Sequence, residues 1–115
     1  MGGRSFFFAG PEMPESEQCL NLNIWAPKKN DGDKRAVMVW IHGGGFQSGA
    51  SNDLHSYDGE NLARTGDVVV VSVNHRLNAM GYLDLSAYGG PYKDSTNVGM
   101  QDLVAALEWV KANID

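Results

Sequence analysis

The sequence predicts an α/β fold, a mostly parallel sheet with helices flanking it, for a chain of 115 residues. Three observations carry that expectation. Residues 36–41 and 68–73 are short, almost continuously apolar runs, the pattern of strands buried on both faces. Met100, Leu103, Leu107, Val110 and Ile114 follow one another at spacings of 3, 4, 3 and 4, which is one face of an amphipathic helix. The order of elements is strand, turn, strand, short helix, strand, long helix, so that crossovers of the βαβ kind deliver a parallel sheet with helices on its faces.

The elements follow from the N-terminus. Residues 1–17, with Pro11 and Pro14 and no sustained period, form an irregular arm, and residues 18–115 form the globular part. Residues 20–24 alternate apolar and polar (Leu20, Asn21, Leu22, Asn23, Ile24), as a strand with one buried face does, and Pro27 stops it. Residues 28–35 are a polar turn around Asp31-Gly32, and the apolar run 36–41 is an interior strand. It ends at His42-Gly43-Gly44-Gly45-Phe46, the densest glycine cluster in the chain. Asp58 caps a short helix that runs to Arg64, and Gly66 suits the left-handed position after its last turn. The second interior strand, 68–73, leads to Asn74-His75-Arg76; the chain then loosens through Gly81, Gly89, Gly90 and Pro91, and Asn97 caps the long helix.

Composition narrows the function. Apolar residues make up 43% and charged residues 20%, an ordinary globular balance. Nine Lys and Arg against fourteen Asp and Glu leave a formal charge of −5, so there is no basic face to neutralise a nucleic acid backbone. Cys19 is the sole cysteine, which excludes an internal disulfide and leaves no Cys/His spacing for a metal. No apolar run approaches the roughly 20 residues of a membrane span, and no signal peptide is visible.

Fourteen glycines in 115 exceed the usual proportion of about 7%, and they cluster. A strand that ends in three glycines turns sharply and brings bare N–H groups close to a ligand, because no Cβ intervenes. Two such donors suit either a phosphate or an oxyanion; a loop that merely clears space for a neighbouring chain is the third reading. The nucleotide reading is weak, for neither Gly-x-x-x-x-Gly-Lys-Ser/Thr nor Gly-x-Gly-x-x-Gly opening a helix occurs. His-Gly-Gly-Gly after an interior strand is instead an oxyanion-loop pattern of lipases and esterases.

The surroundings extend that pattern. Glu17-Gln18-Cys19-Leu20-Asn21-Leu22-Asn23-Ile24-Trp25, then Val39-Trp40-Ile41 leading into His42-Gly43-Gly44-Gly45-Phe46 and Ser48-Gly49, resemble the type B carboxylesterase family, which includes p-nitrobenzyl-type esterases and cholinesterases. Tyr57-Asp58-Gly59, residues 70–77, Gly81-Tyr82-Leu83, Asn97-Val98-Gly99, Asp102, Ala106-Leu107 and Trp109-Val110 keep the family's order and spacing. The resemblance implies an α/β-hydrolase fold and ester hydrolysis by a Ser–His–Glu/Asp triad through an acyl-enzyme, without a cofactor. It further implies that Gly44 and Gly45 donate backbone N–H groups to the oxyanion. Phe46 then lies beside the acyl side of the pocket or forms a hydrophobic plug behind the loop. Glu17 and Arg76 match positions of structural ion pairs. Gln18 and Leu103 depart from the family's usual acidic residue and Gln. Cys19 is bridged in animal relatives and lacks a partner here, so this branch is bacterial or the partner lies outside these residues; with no signal peptide or span visible, a cytoplasmic bacterial enzyme is favoured while the compartment stays open.

The nucleophile is absent from these residues. The fold places its serine on a Gly-x-Ser-x-Gly turn, and no serine of the chain has glycine two residues away on both sides. Triad members follow the glycine loop in chain order. His42 therefore orients the loop, and His55 and His75 are polar loop residues. The resemblance implies a partial α/β-hydrolase, truncated at both ends, that needs the remainder of the domain to act on a small-molecule ester and is inactive alone. In that fold's strand order, 20–24 neighbours 68–73, which neighbours 36–41. The outer edge of 36–41 is then unpaired and apolar, an aggregation hazard that makes the isolated piece marginally stable. The alternative from another class is a piece of a cholinesterase-like adhesion module that binds without catalysis.

Overall fold

The computed structural model describes residues 16–28 and 34–114. Most of the 1–17 arm and the Asp31-Gly32 turn lie outside the described residues. Three strands form one sheet: β1 (Leu22–Trp25), β2 (Val37–Ile41) and β3 (Val69–Val73), in spatial order β1-β3-β2. Helix α1 (Glu60–Gly66) connects β2 to β3, and α2 (Asn78–Tyr82) and α3 (Val98–Asn113) follow β3. The spatial order is the expected one. Pairing is mixed: β2 runs parallel to β3, with Val39 opposite Val71, whereas β1 runs antiparallel to it, with Ile24 opposite Val71.

β3 is central, and its valine-rich sequence meets that position. Val71 and Val73 point to one face, where Leu103 and Val110 of α3 complete the buried core, with Leu22, Val37, Val39 and Ala106 packed around them. Val70 and Ser72 point to the other face, as alternation along a strand requires. There α1 contributes Ala63, and Gly59 comes so close that a Cβ on it would lie 2.7 Å from Val70 Cγ1 and 2.8 Å from Trp25 Cε3. Helices thus cover both faces of β3.

Four expectations are corrected. The run 36–41 is not buried on both faces: Met38, Trp40 and Ile41 are each more than two-fifths exposed. The place of β2 at the edge of the sheet, with no neighbour on its outer side among the described residues, is the one the expected strand order implies. The helical stripe is rotated, because the face on the sheet is Gly99, Leu103, Ala106 and Val110, while Met100 and Leu107 are exposed. Leu103, Val110 and, just past the helix end, Ile114 are common to both readings; Gly99 replaces Met100 because it must fit under another backbone. Gly59, not Asp58, occupies the N-cap of α1, although Asp58 Oδ1 still accepts from the Glu60 N–H at 2.9 Å. Asp67, rather than Gly66, takes the left-handed position, with φ 51°, and its carboxylate is held by Arg35 Nε at 2.7 Å.

Between β3 and α3 the backbone packs more closely than side chains would allow. A Cβ at Gly81 or at Gly99 would stand 2.6 Å from the same atom, the carbonyl oxygen of Arg76. Gly66 is different: its Cβ would meet only side-chain carbons at 3.6 and 3.7 Å. Gly99→Ala is therefore expected to destabilise the chain by about 2 kcal/mol or more through overpacking against backbone. Gly66→Ala should stabilise it by about 0.5 kcal/mol by restricting the unfolded chain and improving helix propensity. Urea midpoints of the two variants check the opposite signs.

Candidate active site

The glycine loop leaves the C-terminal end of β2 and turns back at once. Gly44 O accepts from Gln47 N–H at 3.1 Å and from Ser48 N–H at 3.3 Å. The two residues inside that turn, Gly45 and Phe46, have φ of 61° and 62°, the signs of a type I′ turn. Glycine adopts this conformation freely, but Phe46 does not, so something must hold it. The hold is a backbone bond of 2.7 Å from Asn78 N–H to Phe46 O, made by a residue that is itself left-handed at φ 54°. The Phe46 ring adds an edge-on contact with Tyr82, centroids 5.7 Å apart, and a tilted one with His75 at 6.3 Å.

Gly44 has φ 131°, and a Cβ there would fall 1.8 Å from Ser48 O, so only glycine permits the turn to close. The Gly43, Gly44 and Gly45 backbone is exposed. Among the described residues no acceptor is bonded to the N–H of Gly44 or of Gly45. Beside these amides an open depression of about 460 Å³ is bordered by Gly45, Phe46, Gln47, Asn78, Ala79, Tyr82 and Leu83.

Behind the loop, His42 and His75 stack, with ring centroids 5.0 Å apart and planes 15° apart. Both are buried, at 7% and 3% exposure. Each ring bonds the carbonyl of the next residue: His42 Nδ1 to Gly43 O at 2.9 Å, His75 Nδ1 to Arg76 O at 3.1 Å. His42 thus sits where an orienting residue must, against the first glycine. His75 is a stacking partner of His42 rather than a loose loop residue, whereas His55 is exposed and apart from the site. Burial is the main reason His75 holds a proton less readily than usual, with His42 adding to it; the Arg76 carbonyl and Asp102 act the other way.

The loop is moored on its far side by small polar residues. Ser51, 1% exposed, donates its N–H to Asn74 Oδ1 at 2.8 Å and its hydroxyl accepts from Asn23 Nδ2 at 3.1 Å. Asn74 Nδ2 in turn donates to Asn21 Oδ1 at 2.8 Å, which joins loop, β1 and the end of β3. Arg76 then anchors the next turn. Its Nε and N–H both donate to Asp102 Oδ2 at 2.9 Å, and Nη2 donates to Oδ1 at 2.7 Å. Burial by itself would raise the Asp102 pKa, but these bonds and the guanidinium charge outweigh it and hold the carboxyl below its ordinary range.

The carboxylesterase family pattern matches residues 4–115. This chain belongs to the carboxylesterase family. A solved esterase from anaerobic Clostridium hathewayi, described as able to hydrolyze aliphatic aromatic polyesters, is 55% identical and superposes with a TM-score of 0.87 over 91% of this chain and 21% of its own. The para-nitrobenzyl esterase of Bacillus subtilis is 46% identical over 104 residues, 90% of this chain and 20% of that protein. Acetylcholinesterase-1 of Trittame loki is 44% identical over 110 residues, 93% of this chain and 19% of the relative. The carboxylesterase chain therefore spans about a fifth of the length of these relatives, and its three-layer arrangement is part of an α/β-hydrolase fold. No helix among its described residues is long and apolar enough to cross a membrane.

Sequence reasoning missed α2 and the Asn78 to Phe46 bond, as well as the histidine stack. The one local signal for the last was the pair of histidines at the ends of two neighbouring parallel strands, one after Ile41 and one two residues after Val73.

His75 and Asp102 give the fold a pH dependence of defined sign. Both hold protons less readily folded than unfolded, so the unfolded chain binds more protons and stability rises with pH. The His75 contribution is complete above its ordinary value of 6.5 and is lost as pH falls from there through the lower folded value. The Asp102 contribution is lost below its ordinary value of 3.8. Urea unfolding at pH 7.5, 6.0 and 5.0 should show falling stability, at most about 1.4 kcal/mol per pH unit for one proton. His75→Gln should flatten that limb. Asp102→Ala, which strips Arg76 of three bonds, should cost about 2–3 kcal/mol at pH 7.5.

Proposed function

We propose that this chain supplies the oxyanion-hole loop of a serine carboxylesterase. In this reading Gly44 and Gly45 N–H donate to the carbonyl oxygen of a carboxylic ester as it becomes an oxyanion, and Phe46 flanks the acyl side. The serine, acidic residue and histidine of the triad lie in polypeptide beyond these 115 residues, so the chain alone does not turn over esters. Residues 18–115 form the N-terminal part of one hydrolase domain, its partner is a small-molecule ester, and the chemistry needs no cofactor.

The observation that supports this is the strained turn 44–47, which leaves two adjacent amides exposed and unengaged on a scaffold fixed from behind. Fixed donors need no rearrangement when charge develops, and one such donor contributes about 3–4 kcal/mol to lowering the barrier. Serine attack on the carbonyl carbon places negative charge on the carbonyl oxygen. Collapse of that intermediate expels the alcohol, leaves the acyl group on serine, and repeats with water as nucleophile. The loop serves both tetrahedral intermediates.

The test transplants residues 16–114 into the matching segment of the Bacillus subtilis para-nitrobenzyl esterase. The chimera is expected to hydrolyse p-nitrophenyl esters, whereas the 115-residue chain alone is expected neither to hydrolyse them nor to take up a fluorophosphonate label. Gly44→Ala in the chimera, whose Cβ collides with Ser48 O, should lower kcat about 100- to 1000-fold with a small change in KM. Labelling of a serine in the isolated chain, or a Gly44→Ala chimera of undiminished kcat, overturns the reading.

A further inference from the structure

The turn that presents the two amides does not hold itself. Gly44 and Gly45 sit at φ 131° and 61°, but glycine takes either sign of φ about equally, so neither residue fixes the direction of its own N–H. Phe46, at φ 62°, favours the opposite sign and by its own preference would undo the turn. The two bonds to Gly44 O, at 3.1 and 3.3 Å, are internal to the loop. The bond that comes from outside is shorter, 2.7 Å from Asn78 N–H to Phe46 O, and fixes the peptide plane just after the two donors.

Asn78 can make that bond because of where and how it stands. It is the first residue of α2, where an N–H has no acceptor within the helix and is free to reach across. The residues after it are fixed: Gly81 packs where a Cβ would lie 2.6 Å from the Arg76 carbonyl, and its N–H closes the turn on Leu77 O at 3.2 Å. With α2 held in this way, rotation about φ of Asn78 swings its N–H away from Phe46 O. The bond therefore requires the left-handed value that Asn78 has, 54°. Asparagine and glycine accept that conformation, alanine resists it, and a β-branched valine is an outlier there.

From this geometry we propose that Asn78 is a positioning residue for ester hydrolysis: its left-handed backbone keeps its N–H on Phe46 O and thereby sets the direction of the Gly44 and Gly45 donors. The proposal rests on the reading that those amides serve an oxyanion. The side-chain amide of Asn78 has no part in it; what matters is that the residue at this position tolerates positive φ.

The experiment places Asn78→Gly, Asn78→Ala and Asn78→Val in the para-nitrobenzyl esterase chimera, with active sites titrated by a fluorophosphonate so that kcat counts folded enzyme only. Glycine and alanine both remove the carboxamide, so they differ only in how readily they turn left-handed. Asn78→Gly should keep kcat within about threefold, whereas Asn78→Val should lower it about 10- to 100-fold with little change in KM, and Asn78→Ala should fall between them. An alkyl trifluoromethyl ketone, which adds the serine hydroxyl to form a tetrahedral oxyanion, should lose affinity in step with kcat/KM. Asn78→Ala should cost little more once Gly44→Ala is present, because both act through the same donors. Equal losses in all three variants, or a lowered urea midpoint with kcat unchanged, overturn the proposal. If Asn78→Val yields no active sites, the contrast between alanine and glycine decides. Gly44→Ala separates the two claims: if it keeps kcat, the oxyanion reading fails and takes the proposal with it, and if it loses kcat while the Asn78 series stays flat, the positioning role alone fails.

Discussion

The clamp of Arg76 on Asp102 sets the spacing on which the rest depends. Three donors of one residue, two from the guanidinium and one from the backbone, meet a single carboxylate that is itself largely buried. The clamp joins the chain just beyond β3 to the second turn of α3. Directly beneath it, the Arg76 carbonyl receives both Gly81 and Gly99 at distances that no side chain tolerates. The same carbonyl accepts the His75 bond. One residue therefore positions the long helix, the short helix and the inner member of the histidine stack.

From that fixed point the glycine loop inherits its shape. Phe46 and Asn78 both occupy left-handed backbone, at an energetic cost that glycine would not incur, and they are joined to each other by a short bond. Strain of this kind persists only where the surroundings over-determine it, and here the surroundings are aromatic packing on Tyr82 and His75 and the close packing around Arg76. The result is a turn whose amides are held before any ligand arrives. Preorganisation and strain are two descriptions of this one arrangement.

Much of this was legible in the sequence. β3 declares itself because a valine-rich strand buried on both faces is apolar throughout. The glycine loop declares itself because bare backbone leaves a compositional mark. The strand order came with the family resemblance rather than with any pattern of spacing. Where reading failed, the cause was tertiary. Residues 36–41 look interior because composition records what a residue tolerates, not which neighbours are present. Gly99 took the place of Met100 on the packed face because a backbone carbonyl, invisible to hydrophobic periodicity, claims the space. The five residues of α2 are too few to express a helical period. The bond between positions 46 and 78 joins residues 32 apart with no side-chain signature, since both partners contribute backbone atoms.

The Asn78 to Phe46 bond also defines the smallest unit that travels intact. The glycine segment has no shape of its own to carry into another protein, because its left-handed phenylalanine is upheld by a stretch of chain on the far side of a helix and a strand. Exchanging only the glycines between related enzymes would move the letters and leave the conformation behind. A graft that includes the turn from Asn74 to Tyr82 carries the geometry with it.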